Sequence, residues 1–187
     1  MEITIGIVGV IILLVLIYIG MRNRMIGLKN KVDYANGAVD AMFKQRYDLI
    51  PNLVASVKQY MEHESGLLEK LVQLRSKGQT PNLDEHSRNE INSQIDQAIK
   101  TFNITVENYP DLKASEQFSK LQASLNECEG QLAAARRTYN AAIMAYNNAV
   151  EMFPTSVVAS QMGYTVREMI KATQTEQQNP NVGNLFQ

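Results

Sequence analysis

Few side chains in this 187-residue sequence could do chemistry, and they are scattered. His63-Glu64 is an adjacent acid–base pair, but zinc-hydrolase chemistry needs H-E-x-x-H or a further histidine on the same face. The other histidine, His86, lies in a polar stretch, so no metal site is expected. Cys128 is the single cysteine. It can form neither an intrachain disulfide nor a cysteine cluster, and it falls in an apolar series, as a buried free thiol would. Arg46 and Asp48 stand beside Pro51. They read either as a recognition site or as an ion pair or cap that satisfies backbone groups freed by the proline. Tyr139-Asn140 recurs one heptad later as Tyr146-Asn147, with Arg136 just upstream. Such a polar layer would fix helix register or recognise a ligand or partner. No nucleophile–base pair, phosphate loop or metal spacing is visible. The sequence predicts no catalytic residues, no cofactor and no enzyme activity.

The elements that carry these residues are helical. Phe118, Leu121, Leu125, Cys128, Leu132, Ala135, Tyr139, Ala142, Tyr146, Ala149 and Phe153 alternate in steps of 3 and 4. That is the seam of a helix packed lengthwise on others. Pro110 and Pro154 bound it, which predicts one helix from Asp111, as its cap, to Phe153. At 1.5 Å per residue such a helix is about 60 Å long. The expected fold is all-α: an N-terminal transmembrane helix continuing into an elongated antiparallel, coiled-coil-like bundle. Its expected divisions are an anchor with basic flank over 1–24, the bundle over 25–175 and a polar tail over 176–187.

The anchor is Ile3–Met21, a run of 19 uncharged residues of which thirteen are Ile, Val or Leu. Its length suits one membrane crossing. Its start, Met-Glu, lacks the basic region of a secretion signal. Arg22, Arg24, Lys29 and Lys31 follow it with no acid among them, whereas the chain after them carries 14 basic and 18 acidic residues. Positive charge stays in the cytoplasm, so the N-terminus is expected outside and the helical domain inside. The net charge of −1 gives no nucleic-acid footprint.

Beyond the anchor, Leu28, Val32, Ala35, Val39 and Met42 mark a helix over 25–44, with no breaker before it. Pro51 either kinks this helix or starts a new one, with Asp48 near its cap. Val54, Val57, Met61, Leu68 and Leu71 continue the apolar phase to Arg75, which puts His63 and Glu64 in mid-helix. Lys77–Asp84 reads as a loop, and Glu85–Val106 as a helix with Ile91, Ile95, Ala98, Phe102 and Val106 inward. A short helix from Thr155 to Met162 ends at Gly163-Tyr164, and Val166–Thr173 reads as one or two further turns.

Together these residues resemble the LemA family of bacterial membrane proteins. The resemblance is carried by the anchor, Arg46 with Asp48-Leu49-Ile50-Pro51-Asn52-Leu53-Val54, Tyr60 with His63-Glu64, Tyr109-Pro110 with Leu112, Phe118 with Leu121-Gln122, Glu129, Arg136 with Tyr139-Asn140, Tyr146-Asn147 and Phe153-Pro154. It extends from about residue 25 to 165. Tyr47 departs from the pattern, which often has a second basic or small polar residue there, and so alters the charge of that face. The resemblance implies a one-span protein of the bacterial cytoplasmic (inner) membrane with a helical bundle and no established enzyme activity. It also points to a place beside membrane zinc proteases or other envelope proteins. The expected function is a self-associating membrane scaffold, with the Ala133, Ala134, Ala141 and Ala142 faces permitting close helix approach. The alternative is an adaptor for a membrane protease or envelope-stress system, with Arg46–Asp48 and the Tyr–Asn steps exposed.

Overall fold

The computed structural model describes residues 1–81 and 83–170. The described residues form six α-helices and no strand: α1 Glu2–Val57, α2 Ser65–Gly78, α3 Glu85–Val106, α4 Pro110–Lys113, α5 Glu116–Glu151 and α6 Thr155–Gln161. The chain divides into two compact units. The first comprises Met1–Asp40 and Ala133–Met169; the second holds Ala41–Leu132 and Ile170 among the described residues. The expected tail over 176–187 lies outside the described residues.

In the first unit, α1 runs without interruption from the apolar run to Asp40. Every residue from Ile3 to Gly20 is exposed, whereas Met25, Val32, Ala35 and Val39 are buried. The apolar run therefore faces its surroundings while the same helix, one turn later, acquires an inward stripe. This is the division expected where a helix leaves lipid and enters a protein core. Opposite it lie the buried Tyr139, Ile143, Tyr146 and Ala149 of α5 and Val158 and Ala159 of α6. The pairing is antiparallel: Tyr18 meets Gln161, and Asp33 meets Arg167, which lies over the Tyr146 ring. Phe153, assigned to the α5 seam by its spacing, is 83% exposed, because α5 ends at Glu151 and the chain turns there. The expected turns after Gly163 are absent over 164–170, where the chain has no regular structure; 171–173 lie outside the described residues.

In the second unit, Phe43, Tyr47, Ile50, Leu53 and Val57 of α1 form the stripe, with Leu68, Leu71 and Leu74 of α2 and Ile95, Ala98, Ile99 and Phe102 of α3. Met42 and Val54 are only half-buried; the stripe shifts by one residue to Phe43 and Leu53. Pro51 neither ends α1 nor leaves a cap at Asp48. The helix passes through it to Val57, and Asp48 pairs with Lys44 at 2.9 Å, one turn back. A mid-helix proline withdraws the bond to the carbonyl four residues earlier, here that of Tyr47. Arg75 Nε of α2 donates to that carbonyl at 2.9 Å, which satisfies it.

His63 and Glu64 are not mid-helix. They lie in a 3₁₀ turn, Glu62–Glu64, between α1 and α2, with His63 exposed. Asp84 caps α3, accepting from Ser87 N at 2.9 Å and from Ser87 Oγ at 2.7 Å. These bonds, the Ser87 backbone N–H first, hold the Asp84 carboxyl below its ordinary range. Asp111 does not cap the long helix. It lies in the first turn of the one-turn α4, and Ser115 Oγ accepts from Phe118 N at 3.4 Å at the start of α5.

Candidate functional site

Two polar clusters form where helices meet, one in each unit. In the second unit the centre is Arg46. Its position continues the α1 stripe, three residues after Phe43 and four before Ile50, so the backbone aims a guanidinium into the core. Arg46 is fully buried. Its Nη2 pairs with Asp96 of α3, and its Nε lies 2.7 Å from Glu129 Oε1 of α5. One arginine thus ties two carboxylates from two other helices. Different nitrogens of one planar guanidinium face the two carboxylates, a division that lysine's single nitrogen could not make. Asp96 is 17% exposed and Glu129 35%, so the anions sit at the edge of the core and the cation at its centre. Arg46 is therefore not available as a surface recognition residue. Cys128, next to Glu129, is buried with its Sγ 3.8 Å from the Met42 carbonyl oxygen. Burial pushes its thiol above the ordinary value.

Tyr47 belongs to the same core. It is 4% exposed, so it does not set the charge of an outer face. Its hydroxyl accepts from Asn92 Nδ2 at 2.8 Å, and its ring stacks on Phe43 at 6.5 Å. Gly78 closes over the ring: a β-carbon there would lie 2.6 Å from Tyr47 Cζ. This close approach explains a glycine in the last turn of α2.

In the first unit the centre is Arg167, in the irregular segment after α6. The Asn147 side chain grips its backbone twice, accepting from Arg167 N at 2.9 Å and donating to Arg167 O at 2.8 Å. The guanidinium pairs with Asp33 Oδ1 at 2.9 Å and lies 5.4 Å from the Tyr146 ring centre. Tyr164 packs on the same ring at 6.0 Å, and Lys29 reaches Asp33 at 3.2 Å. The hydrogen bond from Arg167 lowers the Asp33 carboxyl below its ordinary value and, reciprocally, raises Arg167. Burial raises the Tyr146 hydroxyl.

Of the residues singled out by their types and spacing, Arg46 and Glu129 meet in the first of these clusters, while Tyr146 and Asn147 meet in the second. Tyr139 is buried, and Asn140 and Arg136 are half-buried in α5. Arg22, Arg24 and Lys31 are exposed, whereas Lys29 is half-buried against Asp33. Asp48, His63 and Glu64 join neither cluster. Asp96, Arg75, Asn92, Asp33 and Arg167 went unforeseen. Asn92 alone carried a signal, since it falls three residues before Ile95 on the inward stripe of α3. Among the described residues no group of three or more His, Cys, Asp or Glu side chains could hold a metal ion. Each cluster joins elements of its own unit through polar contacts, an arrangement that serves packing.

Protein LemA of Metamycoplasma hominis is 27% identical over 169 residues, covering 90% of this chain and 77% of that protein. The family model of the LemA family matches residues 35–183, which takes in the Arg46 cluster and, of the other, all but Lys29 and Asp33, and the chain belongs to that family.

Proposed function

We propose that the protein is a non-catalytic, membrane-anchored scaffold that self-associates at the bacterial inner membrane. The observation that carries this reading is the unbroken helix from the apolar run to Asp40. Among the described residues one helix is long and apolar enough to cross a membrane, and its apolar run is wholly unburied. A helical joint with no hinge would hold the adjoining domain at a fixed tilt, so that neighbouring copies present the same faces to one another. On α5, Ala134 and Ala141 lie exposed one heptad apart, with Met144 53% exposed beside them. A small-residue face of this kind admits a close helix partner. A repeated head-to-tail contact between identical chains closes into rings or extends into arrays. The exposed Arg22, Arg24 and Lys31 after the span favour a cytoplasmic domain and an external N-terminus. Light scattering of the full-length protein in mild detergent tests the scaffold. A discrete oligomer is expected, and a strict monomer overturns it. A reporter fused after Gln187 that is active only outside the membrane would overturn the orientation.

One feature favours the adaptor reading. An open groove of about 830 Å³ lies between the end of α1 and α2, lined by Val54, Met61, Leu68 and Val72, with Lys58 and Glu69 also contributing. An amphipathic segment of a membrane protein partner would fit such a surface. Capture from native membranes tests this reading, and it fails if a Val72→Glu variant retains the same partners as the original chain.

A further inference from the structure

We propose that the α5–α6 corner is a second membrane contact, seated in the interfacial layer of the leaflet from which the span emerges. The inference rests on the membrane reading of the apolar run and adds to it an element outside that run.

The first observation is positional. Tyr18, inside the apolar run, donates its hydroxyl hydrogen bond to Gln161 Oε1 at 2.9 Å. Tyr18 lies three residues before Met21, about 4.5 Å below the end of the run along the helix axis. A side chain that reaches it places the end of α6 at the boundary between hydrocarbon and headgroups. The second observation places the start of the corner, on the headgroup side of that contact. Arg167 ties Asp33 of α1 to Tyr146 of α5, so these two levels coincide. The helices run antiparallel with equal rise. Phe153, seven residues beyond Tyr146 and in the turn that follows α5, therefore falls roughly level with residue 26, about 7.5 Å above the end of the run and so in the headgroup layer.

The composition at this height is that of a lipid contact. No charged residue occurs between Glu151 and Arg167, the longest uncharged stretch of the chain outside the apolar run. Met152 is 62% exposed, Phe153 83% and Val157 51%. In water such a cluster on a chain with one fifth charged residues would be unfavourable. At the level of a bilayer surface an aromatic ring and its apolar neighbours are favoured. The exposed Arg22 and Arg24 stand at the same level, placed to meet lipid phosphates. The span and the corner together would fix the tilt and the rotation of the domain against the membrane, which a single helix alone leaves free.

The sequence contains no tryptophan, so one introduced residue gives an unambiguous signal. The full-length protein is reconstituted into phosphatidylcholine–phosphatidylglycerol vesicles, with and without brominated acyl chains. Three single variants are compared: Phe153→Trp at the corner, Val10→Trp inside the span, and Tyr34→Trp, whose site is 83% exposed on α1 further from the membrane. Bromolipid is expected to quench Phe153→Trp to an extent approaching Val10→Trp, with a blue-shifted emission, and to leave Tyr34→Trp unchanged. Quenching of Val10→Trp alone overturns the proposal while the anchor stands. Phe153→Trp shielded from aqueous iodide but untouched by bromolipid also overturns it, and assigns the corner to a second copy of the chain. If Val10→Trp is not quenched, the membrane reading itself fails and the proposal falls with it.

Discussion

The two clusters use the same parts and obtain different things from them. Each joins an arginine to acid, two carboxylates at Arg46 and one at Arg167, with a Tyr and an Asn in the same cluster. Around Arg46 the cation is fully buried and its partners come from α3 and α5. Around Arg167 the ion pair is 36% and 47% exposed, and the firm contacts are Asn147's two bonds to the backbone. In the first, charge is removed from water and must be matched. In the second, water screens the charge and the neutral amide does the holding. Equal arginine–aspartate chemistry therefore predicts unequal consequences, with burial deciding the size.

The largest effect is expected from removing an anion at Arg46. Asp96→Ala leaves the buried guanidinium with one fewer counter-charge, and loss of one partner of a buried pair costs about 3–5 kcal/mol. Arg46→Met should cost less, because the partly exposed Asp96 and Glu129 can be rehydrated at the edge of the core while a buried guanidinium cannot. Urea unfolding of the two variants tests this order. If Arg46→Met proves the more damaging, the cluster's stability does not come from matching a buried cation.

In the other unit the amide should outweigh the ion pair. Asn147→Ala removes two hydrogen bonds to one backbone residue, worth roughly 1–3 kcal/mol together. The loss should be local, with faster hydrogen exchange over 164–170 and little change near Arg46. Asn147→Asp would keep only the acceptor and should fall between the original protein and the alanine variant. If exchange accelerates equally in both units, the segment is not held by Asn147 alone.

A third contrast lies within α1. Arg75→Met leaves the Tyr47 carbonyl without the donor that replaces the bond lost at Pro51. An unsatisfied buried carbonyl costs about 1–3 kcal/mol. Restoring the helical N–H with Pro51→Ala should recover much of that loss in the double variant, and a double-mutant cycle measures the recovery. Strictly additive effects would mean that Arg75 does not compensate for the proline.

These contrasts also show what could be read from the order of residues. The helices were legible because burial follows a regular 3-and-4 spacing, and Arg46 was in phase with it. That phase favours the ion-pair reading of Arg46 over the recognition reading, though its type and its place beside Pro51 left both open. Which acids answer Arg46 depends on how α3 and α5 lie against α1, and no local pattern encodes that. Pro51 names the carbonyl it frees, four residues back, but not the arginine of α2 that reaches it. The α4–α5 break at Ala114–Ser115 contains no proline or glycine, so the seam suggested one longer helix. Arg167 lies outside any periodic element and carries no signal, although Asn147, its partner, stands in the repeated Tyr–Asn step of α5.

The smallest effect should be the titration of Asp33, and its smallness is the sharpest check on the comparison. Its folded carboxyl lies below the ordinary value of 3.8, first through the Arg167 hydrogen bond. A lowered carboxyl binds fewer protons folded than unfolded. Its contribution is therefore complete above the ordinary value and disappears as pH falls through the lowered one. Since 47% of the side chain is exposed, screening limits that contribution to about 1 kcal/mol or less at neutral pH. Asp33→Asn should narrow the stability difference between pH 7 and acid only slightly, and molar salt should remove most of what remains. A loss comparable to Asp96→Ala, persisting in high salt, would show that exposure does not separate the two arginines. The distinction would then have to come from the helices that carry them.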